Sequence, residues 1–333
     1  MPGEYGLYCN EKFFACVSDN QLFVKITDRG REVLRTVEKI GAVQHIDWNN
    51  VMWKLLKKSS KLQWLGLIGI VGSVFEITSL TWFYLFWLFA WIDIFSPVRS
   101  VTNSLLFLLQ NLAMLLSIPL TPLLHGFRLP SKESYVPQCQ YSLPFEGKWH
   151  VVNGGVDKKT SHSWYMYSQR YAYDFFIVDE KDKSHSGSRD ILSDYYCYKK
   201  TVLAPADGIV VAVKGKYYDT PIVEVGQADC AAPDVRGNHI IIRHSENEYS
   251  MIAHLLKDSI CVKHGDKVSR GQKIALCGNS GNTSEPHIHF QIQSGKSFLF
   301  SAGLPISFTA IMIDGMMKMK SCFITNGTTV QNI

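Results

Sequence analysis

The eight cysteines never fall close together. Cys9, Cys16, Cys139, Cys197, Cys230, Cys261, Cys277 and Cys322 form no CxxC or CxxxC pair, which excludes a cysteine-rich zinc site. Their irregular spacing over 333 residues also argues against a disulfide framework, so buried free thiols are expected. Arginine-rich stripes with interleaved aromatics are missing, and with them the footprint of nucleic-acid binding. Residues 1–20 hold no apolar h-region or cleavage site, so export would have to use internal apolar segments. The most informative shortage is of charge. From Leu62 to Phe95, Glu76 is the only charged residue before Asp93, and Leu105–Leu124 has none.

Runs of that length are expected to cross a lipid membrane, which takes roughly 20 apolar residues. Residues 62–95 read most simply as one long tilted transmembrane helix; two shorter segments meeting near Glu76 are the alternative. Ser96-Pro-Val-Arg interrupts the pattern, and residues 103–125 read as a second transmembrane segment. The net charge is +5, and Lys54, Lys57, Lys58 and Lys61 gather just ahead of the first run. By the positive-inside tendency that cluster marks a cytoplasmic flank. Two spans would then return the C-terminal half to the cytoplasm, and a third segment, a re-entrant run or an inverted orientation would be needed to avoid this. Glu76 reads equally as an intramembrane functional acid or as a packing contact.

Ahead of the membrane region, residues 1–60 form a small soluble α+β segment. Three short apolar runs separated by Asn10-Glu-Lys and Ser18-Asp-Asn predict a meander of hairpins, and residues 29–56 turn helical and charged. The stretch GEYGLYCNEKFFACVSDNQLFVKIT resembles part of the N-terminal domain of TfoX-type competence regulators, over residues 3–35. No role follows from so short a match, although it admits a reading of the chain as a membrane-bound regulator with an N-terminal sensor.

Beyond a proline-bearing linker at 126–144, the chain becomes rich in short strands with Gly, Asn and Pro turns, which predicts a mainly β domain over 145–308. Residues 309–333 read as a tail. Within the β domain, Pro286-His-Ile-His-Phe carries the clearest chemistry. Alternate residues of a strand share a face, so His287 and His289 project together, with Ile288 and Phe290 behind them. Two imidazoles beside a Gly/Asn-rich loop suit a metal, because neutral imidazole is a common ligand; a pair of surface histidines on an edge strand is the plainer reading. Asp174 opens an otherwise apolar strand and reads as a metal ligand or a cap. His254 ends another β run, where a lone histidine is usually structural.

Together the motifs QRYAYD, MIAHL and PHIHF resemble the M23 peptidases, the lysostaphin/LytM family. VLAPADGIVVAV, GNHIIIRH and VKHGDKVSRGQKIALCGNSGNTSEPHIHF follow the same family's order, and the resemblance covers about residues 145–306. It implies an antiparallel β-sheet LytM-like domain, a Zn2+ cofactor held by Asp174 and His289, and catalytic roles for His254 and His287 on the attacking water and the oxyanion. It also implies peptidoglycan peptides as substrate. The expected protein is a membrane-anchored zinc endopeptidase, integral to the cell membrane, with its catalytic domain facing the wall.

One position departs from the family. Its first motif is H-x-x-x-D, and four residues before Asp174 stands Arg170, which cannot ligate a metal. The third ligand must come from elsewhere. His162, in the loop NGGVDKKTSHSW, resembles a histidine-bearing loop seen in a subgroup of such domains and is the expected replacement; His185 is the rival, with a solvated loop residue as its plainer reading. Arg170 and Gln169 are expected to orient Asp174 or bind a substrate carboxylate. The same departure sustains an alternative function, a catalytically degenerate LytM-type domain that binds wall or a partner protein as a regulator.

Overall fold

The computed structural model describes residues 5–9, 12–18, 21–24, 61–94, 101–222 and 232–333. The chain divides into two compact units, residues 1–62 and 63–333. In the first, strands β1 (Tyr5–Cys9), β2 (Lys12–Ser18) and β3 (Gln21–Val24) pair antiparallel in chain order, as short runs joined by two-residue gaps require. The helical stretch expected over 29–56, with Lys54, Lys57 and Lys58, lies outside the described residues.

The apolar run 62–95 is not one helix. A 3-10 turn at Lys61–Leu65 leads into α1 (Gly66–Val74), and the chain reverses at Glu76, which takes a left-handed φ of 55°. After α2 (Thr78–Thr81), a 3-10 run at Trp82–Ile94 returns along α1. Three glycines make that return possible: a Cβ on Gly66 would meet Trp87 at 2.0 Å, on Gly69 Tyr84 at 2.7 Å, and on Gly72 Leu80 at 2.7 Å. The partner numbers fall as the glycine numbers rise, so the segments are antiparallel. Of the two readings above, the structure therefore takes two short segments meeting near Glu76, in place of a single transmembrane helix. The nine residues of α1 rise only about 14 Å, less than half of a hydrocarbon core of about 30 Å. Among the described residues, Leu105–Leu124 is the one helix long and apolar enough to cross a membrane.

That stretch belongs to α3 (Val101–Leu124), and one of its faces is docked on the β domain. Gln110 donates to Asp234 Oδ1 (3.2 Å) and accepts from the Val235 amide (2.7 Å). Further along, Thr121 Oγ1 donates to the Leu299 carbonyl (3.4 Å), and His125, just past the helix, donates from Nε2 to the Phe300 carbonyl (3.1 Å). Phe107 and Met114 pack on a small apolar cluster of Val235, Ile241, Met251, Ala253 and Phe298. Helix residues three or four apart share a face, which is why these positions meet the domain together. Leu115, Leu116 and Leu123 on other faces are exposed.

The β domain is one long sheet. Its strands are β4 (Trp149–Asn153), β5 (Tyr173–Phe176), β7 (Gly208–Lys214), β8 (Asn238–Arg243), β9 (Tyr249–Leu255), β10 (Lys267–Val268), β12 (Ile288–Gln293), β13 (Gly303–Leu304), β14 (Ile311–Ile313), β15 (Met316–Lys318) and β16 (Thr329–Asn332). They lie in the order β10-β7-β8-β9-β12-β5-β4-β16-β14-β15, with β13 on the end of β12. A separate pair, β6 (Thr201–Leu203) with β11 (Lys273–Leu276), completes the fold. One face of the sheet buries the main core, with Trp149, Phe175, Ile240, Ile252, Phe290 and Ile274 at 1% exposure or less.

Two boundaries differ from expectation. Residues 311–332 are not a tail: β14 and β16 join the main sheet, with Thr329 paired to His150. Part of the linker belongs to the core as well, since Tyr141 and Leu143 are fully buried. Its anchor is Glu248, 0% exposed. The carboxylate accepts from Tyr135 Oη, the Gln138 amide (2.6 Å), the Cys139 amide (3.0 Å) and Tyr141 Oη (2.8 Å). A buried charge needs such a full set of donors. Burial, with the neighbouring carboxylate, raises both tyrosine hydroxyls. Cys139, Cys197, Cys261, Cys277 and Cys322 are free thiols; Cys197 and Cys277 are buried as expected, whereas Cys139 and Cys322 are half-buried and Cys261 is exposed.

Candidate metal centre

The site is a row of residues laid side by side across four strands. In register, Asn153 of β4 faces Asp174 of β5, Asp174 faces His289 of β12, and His289 faces Ala253 of β9. Opposed residues in a sheet have Cβ atoms about 4.5–5.5 Å apart, so polar side chains there converge; a register shift between Val151 and Asn153 brings Asn153 opposite Asp174. The β12 pattern His287-Ile-His-Phe-Gln-Ile-Gln explains the rest. Its even positions Ile288, Phe290 and Ile292 enter the core, while His287, His289, Gln291 and Gln293 share the opposite face.

Asp174 is 6% exposed, and both of its oxygens are engaged. Oδ1 accepts from His289 Nδ1 at 2.9 Å and lies 3.6 Å from His287 Nε2; Oδ2 accepts from Asn153 Nδ2 at 3.0 Å and lies 3.6 Å from His162 Nε2. His289 has a second acceptor, Gln291 Oε1, at 3.1 Å from Nε2. The Gln291 amide cannot turn over, because its nitrogen donates to the Ser168 carbonyl and to Gln293 Oε1. Burial works against the His289 cation, but Asp174 and Gln291 outweigh it and hold its pKa above the ordinary histidine value. Burial likewise opposes the Asp174 carboxylate, yet the hydrogen bond from His289 and the flanking histidines hold its pKa far below the usual range.

His254 reaches the site from the end of β9 with φ of 62°. A non-glycine residue in the left-handed region is uncommon, and strained positions gather at functional sites. The turn swings the ring toward His287, with ring centroids 4.7 Å apart. His254 Nδ1 donates to the Ser280 carbonyl (2.8 Å), and His287 Nδ1 donates to the Glu285 carbonyl (2.8 Å). Because a carbonyl only accepts, each ring is left with Nε2 as its free nitrogen. Burial and the neighbouring histidines push the His254 pKa well below the ordinary value. Phe176 stacks on His287 at 5.0 Å, which fixes the plane of that ring.

The third expected ligand comes from the loop between β4 and β5. That loop leaves the sheet through Gly154, at φ 124°, where a Cβ would lie 2.3 Å from the Tyr173 ring. His162, Asp174 and His289 each offer one ligand atom, and these three atoms all lie within 4.8 Å of one another. Zinc bonds of about 2.0–2.2 Å put tetrahedral ligand atoms roughly 3.3–3.5 Å apart, so the set fits that ion with small shifts. Two nitrogens and one carboxylate oxygen, with a position left open, is also the donor pattern of catalytic zinc.

These residues line a cavity of about 360 Å³, as do His254, His287, Asn153 and Gln169. Arg170 is not among its lining residues. It lies in a turn before β5 rather than on the strand, and its guanidinium carbon lies over the rings of Trp164 and Tyr167, 4.7 and 4.4 Å from their centroids. Its expected closeness to the ligand site therefore gives way to a place in the loop wall. The arginine that does line the cavity is Arg236, bound through Nε and Nη2 to the two oxygens of Asp234 and stacked 4.9 Å from Phe298. Burial opposes the Asp234 carboxylate, but that two-pronged contact brings it down to about 2. His185 lies apart, with Nδ1 donating to the Gly187 carbonyl. Sequence reasoning missed Asn153, Gln291 and Arg236. Of these, Gln291 had a signal, a buried-strand polar residue two places beyond His289.

Residues 193–299 match the family described as Peptidase family M23. His254, His287 and His289 fall inside that stretch, whereas Asp174 and His162 precede it. The chain is 45% identical over 56 residues to the peptidoglycan DD-endopeptidase ShyA of Vibrio cholerae, covering 17% of this chain and 13% of that protein. With ShyB of the same organism it is 38% identical over 95 residues, 26% and 22% of the two chains. With the murein hydrolase activator NlpD of Escherichia coli it is 44% identical over 62 residues, 18% and 16%. The chain thus spans less than a quarter of the length of each of these relatives. Over residues 193–299 the chain carries a domain of peptidase family M23.

Proposed function

We propose that the protein is a zinc-dependent endopeptidase that hydrolyses peptide cross-links of peptidoglycan while attached to a membrane. The observation that carries this reading is the convergence of His162, Asp174 and His289 within 4.8 Å at the floor of a cavity that His254 and His287 also line. His162, Asp174 and His289 would hold the ion. Zinc bound there would polarise the scissile carbonyl and lower the pKa of the attacking water to about 7.

The chain's own groups do the proton work. His254, neutral at pH 7 because its pKa is depressed, accepts the proton that the attacking water loses as its oxygen bonds to the carbonyl carbon. His287 presents Nε2 to the same cavity and, when protonated, donates to the carbonyl oxygen as it gains charge. The C–N bond then breaks, and the proton passes to the leaving amine. Asn153 and Gln291 keep Asp174 and His289 in place. Gln169 lines the cavity and is a candidate substrate contact. Membrane attachment is supported by the exposed leucines of α3 and by the apolar segments before it. Similarity to wall endopeptidases supports peptidoglycan peptides as substrate and a catalytic domain facing the wall.

A second reading keeps the fold and drops the chemistry: a wall- or partner-binding regulator. It is favoured by Arg170 in place of the first-motif histidine and by similarity to a murein hydrolase activator. One experiment separates the two. Purified protein is assayed for zinc content and for cleavage of cross-linked muropeptides, beside His162→Ala. Stoichiometric zinc and cleavage, both lost in the variant, support the hydrolase; wild-type protein that binds neither zinc nor cuts leaves the regulator.

A further inference from the structure

We propose that Arg170 is a positioning residue that holds the loop carrying His162 over the metal site, so that the side chain standing in the ligand's usual place fixes the ligand that substitutes for it. The proposal rests on the reading of His162 as a zinc ligand.

The contacts bracket His162 on both sides. One residue before it, Ser161 Oγ donates to the main-chain carbonyl of residue 170 at 2.6 Å, a contact that the backbone supplies and that Arg170→Ala would keep. Two residues after it, the Trp164 carbonyl accepts from Arg170 Nε at 3.0 Å. The guanidinium carbon lies over both the Trp164 and the Tyr167 rings, so two aromatic residues of the loop gather on it. Arginine suits this task because a planar cation can stack on two aromatic rings and donate at its edge at once, which an ammonium cannot.

His162 has need of such a clasp. Asp174 and His289 sit on paired strands whose register sets their separation. His162 sits on a loop and its side chain is 31% exposed, so packing alone does not fix it. Ligand atoms must be held within about 0.5 Å of their productive positions by supporting contacts. The far end of the loop is already secured to the sheet: the Ser168 carbonyl accepts from Gln291 and the Tyr167 carbonyl from the Gly303 amide (2.8 Å). The Arg170 side chain ties Trp164, two residues beyond the ligand, to that fixed end.

The test is a double-mutant cycle on zinc affinity, read by competition with a chromophoric chelator on the full chain. Arg170→Ala is expected to weaken zinc binding about 10–100-fold, the usual effect of losing a ligand's supporting contact. In a His162→Ala background the same change should cost no more than about twofold, since there is no ligand left to position. Arg170→Lys should restore little of the loss, because it lacks the stacking plane. If Arg170→Ala fails to fold, Arg170→Met keeps an apolar stem but loses the cation and the Nε donor to Trp164, and should still weaken zinc about threefold or more, again only when His162 is present. Equal losses in both backgrounds would show that Arg170 supports the domain at large, and the proposal falls. Unchanged affinity in Arg170→Ala with a loss in His162→Ala also overturns it, while leaving His162 as ligand. Unchanged affinity in His162→Ala removes the ligand reading and this inference with it.

Discussion

His289 Nδ1 donates to Asp174 Oδ1 at 2.9 Å, from the residue directly opposite it across the β5–β12 pair. The other nitrogen of the same ring also faces an acceptor, Gln291 Oε1. With an acceptor at each end, the metal-free ring is held as the cation. A metal bound at Nδ1 must displace that proton.

Zinc affinity should therefore fall with acidity. Proton and metal compete for one nitrogen, so below the raised pKa of His289 each pH unit should cost about tenfold in affinity. Above that value the dependence on His289 should vanish. Calorimetric titrations at several pH values, in buffers of different ionisation enthalpy, would register the released proton. An affinity that stays constant as pH falls below the ordinary histidine value of about 6.5 would place the metal elsewhere.

Ligands and proton-transfer groups should separate experimentally. Alanine at His162, Asp174 or His289 should weaken zinc enough that the protein purifies with well under one equivalent and loses cleavage, while residual binding stays measurable at high zinc. His254→Ala should keep zinc and lower turnover by about 10²–10⁴-fold, the usual contribution of a positioned acid or base. Metal analysis beside a muropeptide assay distinguishes the two classes.

Glu248 should matter to stability alone. It accepts from four donors while fully buried. Glu248→Ala would strand those donors and should destabilise the domain by about 3 kcal/mol or more, with Glu248→Gln milder. Urea unfolding gives the number. An unchanged zinc affinity per folded molecule would show that the linker anchor and the metal site are independent.

Acid should loosen the metal-free domain. Burial depresses His254 strongly and brings His239 to about 4. Unfolded, each takes up a proton near pH 6.5, so the unfolded state binds more protons and stability drops as pH falls from about 6.5 toward the folded values. His289 acts in the opposite sense, since its raised pKa adds stability at low pH that is lost as pH rises through the folded value. Burial lowers His162 and His244 as well, so four depressed histidines outweigh one, and the urea midpoint should be lower at pH 5 than at pH 7. In His239→Asn the difference should shrink.

Much of the site's layout was legible because strand alternation is a local property. The spacing of His287 and His289 fixes their common face, and the apolar Ile288 and Phe290 fix the other. The first-motif position was harder. Four residues upstream of Asp174 would share its face only if the strand extended that far, and the chain turns at Arg170 instead. The pairing of β16 with β4 joins residues nearly 180 positions apart, and no local pattern announces it. The reversal at Glu76 depended on Gly66, Gly69 and Gly72 meeting aromatic and leucine side chains, a match visible only once the two segments lie together.

Helix α3 gives the histidine-lined cavity a fixed address. From Gln110 to His125 it is fastened to the domain over about 22 Å, and Met114, one turn beyond Gln110, forms part of the cavity wall. A leucine surface seated in lipid, under the proposed attachment, would leave the scissile bond about one helix diameter, ~10 Å, from the bilayer. Under the proposed function, an enzyme mounted this way would have almost no reach. It would trim strands that graze the membrane and leave the outer layers of the wall untouched, whatever the length of chain that anchors it.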